Sequence, residues 1–270
     1  MRIEFIDFED TDKLMSAYDT LMENEQEYDL YCMPPAFVAY EDETPVGIAT
    51  FLLLPSDAMA PGTKEDSSSP KEAELNVYVA SPNRRKGIAK GLIDKITAYI
   101  KEHFEDTTTI VNLPPELESS SLAKHFAFAE LLLEAGPDTK GFDDQKIGAG
   151  LTEPDDYGLP TGSIFEKETK KKDGEEVITY AIKKDGNEIA RLYITPAGSY
   201  AFLSGLFTEP AFRRQGYGSA LTQYALSDSL KEGTPVLLHV RSTNTPAVNL
   251  YRKIGFAEID RLDYYDLSVL

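Results

Sequence analysis

The chain has no tryptophan, one cysteine and three histidines in 270 residues. A single cysteine excludes a disulfide framework within the chain. Three histidines (His103, His125, His239) and one cysteine (Cys32), all far apart in sequence, argue against a structural zinc site, and no metal is expected. Long apolar runs are also missing. The run Phe51 to Leu54 is among the longest, far short of the ~20 residues a membrane helix needs, so no membrane association is expected. The N-terminus, MRIEFIDFED, is acidic and lacks the apolar core of a secretory signal, which points to a soluble cytoplasmic protein. Basic residues are scarce: 27 Lys and Arg stand against 46 Asp and Glu, a net charge of −19. A surface this acidic repels phosphate, so nucleic acid is not an expected partner.

What is present suffices for a folded core. Apolar residues make up 41 % of the chain, too many for a disordered acidic polymer. The charge is uneven. Residues 1–150 hold 29 acids against 13 bases, net −16, and residues 151–270 hold 17 against 14, net −3. Two units with different surfaces follow. Their junction falls within Gly136 to Gly162, a stretch dense in Gly, Pro and Asp. We expect domains at 1–137 and 161–270 joined by a linker at 138–160. The segment Pro55 to Pro70 reads as a loop inserted in a sheet, either solvated or a lid on the substrate side.

Element signals alternate along the first half. A strand is expected at Ile3 to Phe8, a helix at Thr11 to Asn24, and a hairpin over Phe37 to Leu54 that turns at Glu41 to Pro45. A strand at Glu74 to Ala80 leads through SPNRRKGIA into a helix over Lys90 to Phe104. Ile88, Leu92, Ile96 and Ile100 give that helix a buried stripe. A strand at Thr107 to Leu113 and a helix at Leu122 to Ala135 follow. In the second half, strands are expected at Val177 to Lys183, Glu188 to Ile194 and Tyr200 to Thr208. Asp173-Gly174 and Asp185-Gly186 suit hairpin turns with positive φ. The run Lys167 to Lys172 reads as a solvated hairpin end. EPAFRRQGYG then opens a helix over Ser219 to Leu230. A strand at Val236 to Arg241, a helix at Pro246 to Lys253 and a pair of strands over Phe256 to Val269 complete the chain.

A long internal repeat emerges. Arg84-Arg85-Lys86-Gly87-Ile88-Ala89 and Arg213-Arg214-Gln215-Gly216-Tyr217-Gly218 lie 129 residues apart and share one syntax: apolar strand, proline-containing turn, paired arginines, Gly-x-(Gly/Ala), amphipathic helix. A period of this length means duplicated domains. Physically, a strand running through a glycine turn into a helix presents unpaired amides and the positive end of the helix dipole, which suit a phosphate or pyrophosphate. No Gly-Lys-Ser/Thr ends the loop, so it is not a Walker A motif. A third glycine for a dinucleotide fingerprint is missing, and no Gly-x-Ser-x-Gly or His-Glu-x-x-His occurs.

The pattern Arg-x-x-Gly-x-(Gly/Ala) after a strand resembles the acyl-CoA loop of the GNAT N-acetyltransferases. The second copy adds Asn244-x₆-Tyr251-x₃-Gly255-Phe256 in the order and spacing of that family. The resemblance is firm over Val177 to Leu270 and weaker over Met1 to Pro137, so the chain resembles a tandem GNAT protein. It implies an α/β (α+β) fold of two GNAT-like domains. Each would have a mixed, mostly antiparallel sheet flanked by helices, with a splayed strand pair for acyl-CoA. It implies acetyl-CoA as co-substrate and direct attack by an amine. In the second copy the amides of Gln215, Gly216, Tyr217, Gly218 and Ser219 would hold the pyrophosphate, flanked by Arg213 and Arg214. Leu206, Phe207 and Thr208 would align the pantetheine arm, and Asn244 would touch the CoA chain. Tyr251 would protonate the leaving thiolate.

The first copy keeps Arg84, Arg85, Gly87 and Ala89 but no phenol at the matching place. Aligning Gly136 with Gly255 puts Leu132 at the Tyr251 position. That half would either bind CoA without turnover or serve as a structural partner. Many family members use a strand carboxylate as base. The second copy has none on Ala201 to Thr208, which leaves Ser204 or a water chain as relay. In the first copy Glu74 sits on the matching strand and Glu72 just before it. His239, on an apolar strand, reads as a packed core histidine or as a proton relay. Cys32 reads as a buried, inert thiol. Three functions compete: an N-acetyltransferase for a small-molecule or peptide amine, cationic by charge complementarity; an acyl-CoA sensor or scaffold without turnover; and a nucleotide-binding fold of another type. The oligomeric state is left open.

Overall fold

The structure, a computed structural model, describes residues 1–23, 33–55, 71–112, 124–139, 152–172, 175–231 and 233–267. The expectations for Cys32, for the loop over Pro55 to Pro70 and for the Asp173-Gly174 turn lie outside these residues. Among the described residues the chain forms twelve strands and four α-helices.

It divides into two compact units. In the first, β1 (Arg2–Ile6), β2 (Ala36–Glu41), β3 (Thr44–Pro55) and β4 (Lys71–Val79) form an antiparallel meander. β5 (Thr107–Asn112) joins β4 in parallel. α1 (Thr11–Met22) buries Leu14, Ala17 and Leu21 against one face with Ile6, Val38, Ile48 and Tyr78. α2 (Ile88–His103) covers the other face. Its stripe Ile88, Leu92, Ile96 and Ile100 is buried as the four-residue spacing requires.

The second unit runs in the order β6 (Phe126–Ala135), β11 (Val236–Arg241), β10 (Tyr200–Thr208), β9 (Asn187–Ala197), β8 (Glu175–Lys184), β7 (Ser163–Lys172). α3 (Tyr217–Leu230) and α4 (Thr245–Ile254) share one core with the sheet. That core includes Leu131, Leu133, Ile182, Leu192, Leu203, Leu221, Leu238, Val248 and Tyr251. The Asp185-Gly186 turn between β8 and β9 has φ values of 51° and 80°, as the hairpin reading requires. Asp228 on α3 accepts hydrogen bonds from Lys167 Nζ and Tyr180 Oη, each at 2.7 Å, which ties the helix to β7 and β8.

Two expectations are corrected. Leu122 to Ala135 is not a helix: Phe126–Ala135 is strand β6. Its Ala, Leu and Glu content favours helix, but the segment also alternates. Ala129, Leu131, Leu133 and Ala135 enter the core, and the strand pairs antiparallel with β11 from Ala135↔Val236 to Glu130↔Arg241. A sheet edge offering unpaired amides outweighed intrinsic propensity. The final pair of strands is one strand, β12 (Ala257–Asp266). The lysine run Lys167 to Lys172 is, as expected, the end of a hairpin, formed by β7 and β8 and exposed from Lys167 to Lys171. It belongs to the ten-residue edge strand β7, whose charge protects an otherwise sticky edge.

The units also cross the boundaries expected from the sequence. Residues from Phe128 belong to the second unit, and Asp263–Leu270 belong to the first. There Tyr264, Tyr265 and Asp266 pair antiparallel with Asn112, Val111 and Ile110 of β5. Each unit thus takes a closing strand from the opposite half of the sequence.

Candidate active site

The second unit's sheet is split at its centre. β10 and β11 run parallel but pair only at Ala201↔Val236 and Phe202↔Leu237, after which they part. On its other side, β10 breaks register with β9 between Ser204 and Phe207, with Gly205 at φ +61°. A bulge re-aims the backbone of its strand. Here Gly205 and Leu206 fall in the break, and Phe207 and Thr208 resume pairing with Arg191 and Ala190 of β9 while their other edge, no longer paired with β11, borders the opening. The Arg191 guanidinium lies 4.9 Å over the Phe207 ring.

The turn beyond β10 is held by its own arginine. Arg213 Nε donates to the Thr208 carbonyl at 3.0 Å, and Gln215 Nε2 donates to the Ala211 carbonyl at 2.9 Å. Arg214, exposed, has φ +61° and Gly216 has φ +91°, so the chain reverses sharply into α3. Gly216 is the N-cap and no side chain caps the helix. The amides of Tyr217, Gly218 and Ser219 therefore open the helix without an intrahelical acceptor. A Cβ on Gly218 would lie 3.3 Å from Thr208 Oγ1, 3.6 Å from Leu250 Cδ1 and 4.0 Å from Leu206 Cδ2. The start of α3, the bulged end of β10 and the middle of α4 thus meet at one glycine.

α4 starts at Asn244, whose Oδ1 accepts the Ala247 amide at 3.3 Å. That oxygen is committed to the cap, so only its side-chain amide group is left to face a ligand. Tyr251, 6 % exposed, lies on the core side of α4, its ring 5.6 Å from Phe256. Burial pushes its phenol up to about 12, so it stays a protonated donor throughout the neutral range. Tyr217 contributes its backbone only. Its side chain is fully buried against Phe212, and its hydroxyl has no partner. Ser204 lies exposed on the sheet face away from α4, while its neighbour Leu203 points into the core. The structure corrects the packed reading of His239: it is exposed, on the same sheet face as Ser204.

The first unit repeats the turn closely. Arg84 Nε donates to the Val79 carbonyl at 3.0 Å, Arg85 has φ +64°, and Gly87, at φ +80°, is the N-cap of α2. Ala89 is exposed on the first turn of α2. The strand differs: β4 pairs with β3 without a break from Lys71 to Val79. It also stays bonded to β5 over five residues, Lys71 to Leu75, before parting. Glu74 accepts a hydrogen bond from Tyr264 Oη at 3.0 Å.

Several of these features escape sequence reasoning. The strut from Arg213 to Thr208 shows only as a five-residue spacing. The bulge at Gly205 and the packing of Leu250 on Gly218 have no local signature. The exposure of His239 has no local signature either, because Val236-Leu-Leu-His-Val-Arg241 is apolar at both parities and Leu237, which shares the parity of His239, is itself buried.

A parallel strand pair that parts beside a bulged strand, with an uncapped helix start at its mouth, is the arrangement that the sequence resemblance implies. Comparison with known proteins agrees. The model of the Acetyltransferase (GNAT) family matches twice, over residues 4–128 and 146–256, and the chain belongs to that family of acetyltransferases. It is 30 % identical over 102 residues to the [Ribosomal protein bS18]-alanine N-acetyltransferase of Escherichia coli strain K12, covering 37 % of this chain and 69 % of the relative. It is 44 % identical over 57 residues to an N-alpha-acetyltransferase of Sulfurisphaera tokodaii, covering 20 % of this chain and 34 % of the relative. In fold it is similar to a tandem GNAT protein from the clavulanic acid biosynthesis pathway, with TM-score 0.58, 15 % identity and 98 % of each chain covered. Among the described residues no cluster of His, Cys, Asp and Glu could hold a metal ion, and no helix is long and apolar enough to cross a membrane.

Proposed function

We propose that the chain transfers an acetyl group from acetyl-CoA to a primary amine and that the reaction takes place in the second unit. The convergence at Gly218 carries this reading. It packs the uncapped start of α3 directly against the bulged strand and α4, and a side chain there would crowd Thr208 and press them apart. The amides from Gln215 to Ser219 would hold the diphosphate, with Arg214 beside it and Arg213 bracing the turn. Backbone groups at Leu206 to Thr208 would pair with the pantetheine arm and polarise the thioester carbonyl. Tyr251 would give its proton to the departing thiolate. Its high pKa is no obstacle, because the same burial raises the proton affinity of a thiolate released beside it.

The amine attacks the carbonyl directly, with no covalent enzyme intermediate. The net charge of −19 gives a mild preference for a cationic acceptor, since most of it lies in residues 1–150. The bacterial relative named for a protein alanine makes a peptide N-terminal amine the leading class, with polyamines second. The first unit has the same turn geometry but an unbroken strand beside it and no phenol at the matching place, which fits a unit that does not turn over acyl-CoA and serves as a structural partner.

Release of free thiol from acetyl-CoA, followed with an alanine-initiated basic peptide and with spermidine, tests the reading. The wild type should turn over at least one of these, and Tyr251→Phe should lower kcat about 100-fold while CoA still binds. Binding of CoA with no thiol released for any amine would make the chain a sensor instead.

A further inference from the structure

The split sheet has two faces, and α3 and α4 both lie on the same one. On β11, Val236, Leu238 and Val240 point into the core shared with α3 and α4, so Leu237, His239 and Arg241 point the other way. On β10, Ala201 and Leu203 are buried, while Tyr200, Phe202 and Ser204 are exposed. Phe202↔Leu237 is the last closed rung. Had the sheet stayed closed, Ser204 would stand beside His239 two residues further on. Instead the strands part, and His239 sits on the rim of the opening. Its imidazole stacks on Phe202 with ring centres 6.5 Å apart and planes 12° from parallel. Among the described residues, neither ring nitrogen is engaged by a protein partner. Tyr251 lies on the helix face. A buried phenol therefore lies on one face of this sheet, and an exposed imidazole on the other, at the rim of the gap.

We propose that His239 is the base of the reaction, taking the proton that the amine gives up. This rests on the acetyl-transfer reading above. The nitrogen lone pair forms the new N–C bond, the C–S bond breaks, and the nitrogen-bound proton passes to an imidazole nitrogen directly or through one water. The thiolate takes the Tyr251 proton. The imidazolium then releases its proton to solvent and the phenolate regains one, so that amine and thioester become amide and thiol. Acceptor and thioester meet from opposite faces, which explains why no strand carboxylate is needed on β10. Among the described residues the charged groups on the His239 face are Arg241 on its own strand, Glu130 and Glu134 on β6, and Arg191 on β9, whose guanidinium lies 4.9 Å over the Phe207 ring. Arg241 is spread 4.2 Å over the Phe128 ring, and Glu134 accepts from Thr139 Oγ1 at 2.6 Å. Tyr200 and, across β9, Tyr193 are the phenols on that face.

The test compares wild type, His239→Ala and His239→Glu on acetyl-CoA with the alanine-initiated basic peptide and with spermidine, from pH 5.5 to 9.5. His239→Ala should lower kcat about 100-fold or more. The wild-type acid limb should disappear from its pH profile, CoA affinity and thermal midpoint should be unchanged, and added imidazole should restore part of the rate. His239→Glu should recover rate and move the acid limb to lower pH. A His239→Ala protein with wild-type kcat and pH profile overturns this assignment. If Tyr251→Phe is impaired in the same assay, acetyl transfer itself still stands. A wild type that acetylates neither amine overturns both.

Discussion

Removing β6 should unfold the second unit, although β6 lies outside the sequence repeat that forms most of that unit. A fragment cut at the expected domain boundary, 138–270, retains the whole loop-and-helix motif but loses the antiparallel partner of β11 over six residue pairs, from Val236↔Ala135 to Arg241↔Glu130. It also loses Leu131 and Leu133, which are 3 % and 0 % exposed, together with Ala129 and Ala135. Truncating one buried leucine to alanine costs ~2–5 kcal/mol. Removing two therefore costs roughly 4–10 kcal/mol, comparable to the ~5–15 kcal/mol that stabilises an entire domain. The bared edge of β11 invites aggregation as well. Fragment 126–270 restores β6 and differs by only twelve residues. Circular dichroism melts and sedimentation of the two fragments decide the matter. Fragment 126–270 should be monodisperse with a cooperative transition, and 138–270 should show neither. Equal midpoints for the two would refute the claim that the strand is part of this unit's core.

Two further outcomes are expected. Burial by itself would raise the Asp228 carboxyl, but hydrogen bonds from Lys167 and Tyr180 and the charge of Lys167 outweigh it and hold the group below its usual value. A depressed carboxyl stabilises the fold above its unfolded pKa of about 3.9 and loses that contribution as pH falls through the folded value. Asp228→Asn should therefore cost ~1.5–3 kcal/mol at pH 7, and thermal melts of the two proteins should converge as the pH is taken below about 4. Gly216→Ala places a side chain at φ +91°, where no crowding arises but the left-handed backbone costs ~1–2 kcal/mol. By calorimetry it should weaken CoA binding about tenfold if the strain is relieved by turning the amides away, with little change in the thermal midpoint of a protein whose turn relaxes.

The duplication, the two arginine–glycine turns and the Asn244 to Phe256 segment are written locally, so the sequence alone determined the family and the candidate loop. Helix stripes such as Ile88 to Ile100 and hairpin turns such as Asp185-Gly186 are equally local, because spacing and backbone φ preferences act over a few residues. The fate of Phe126–Ala135 is not local. Its composition suits a helix and its alternation suits a strand, and only the unpaired edge of β11 chose between them. The same holds for Tyr264–Asp266 against β5, for the bulge at Gly205 and for the crowding at Gly218. Hydrogen bonds and contacts between distant segments are formed in three dimensions, so the tertiary structure alone decided which half of the chain completes each unit and on which face His239 stands.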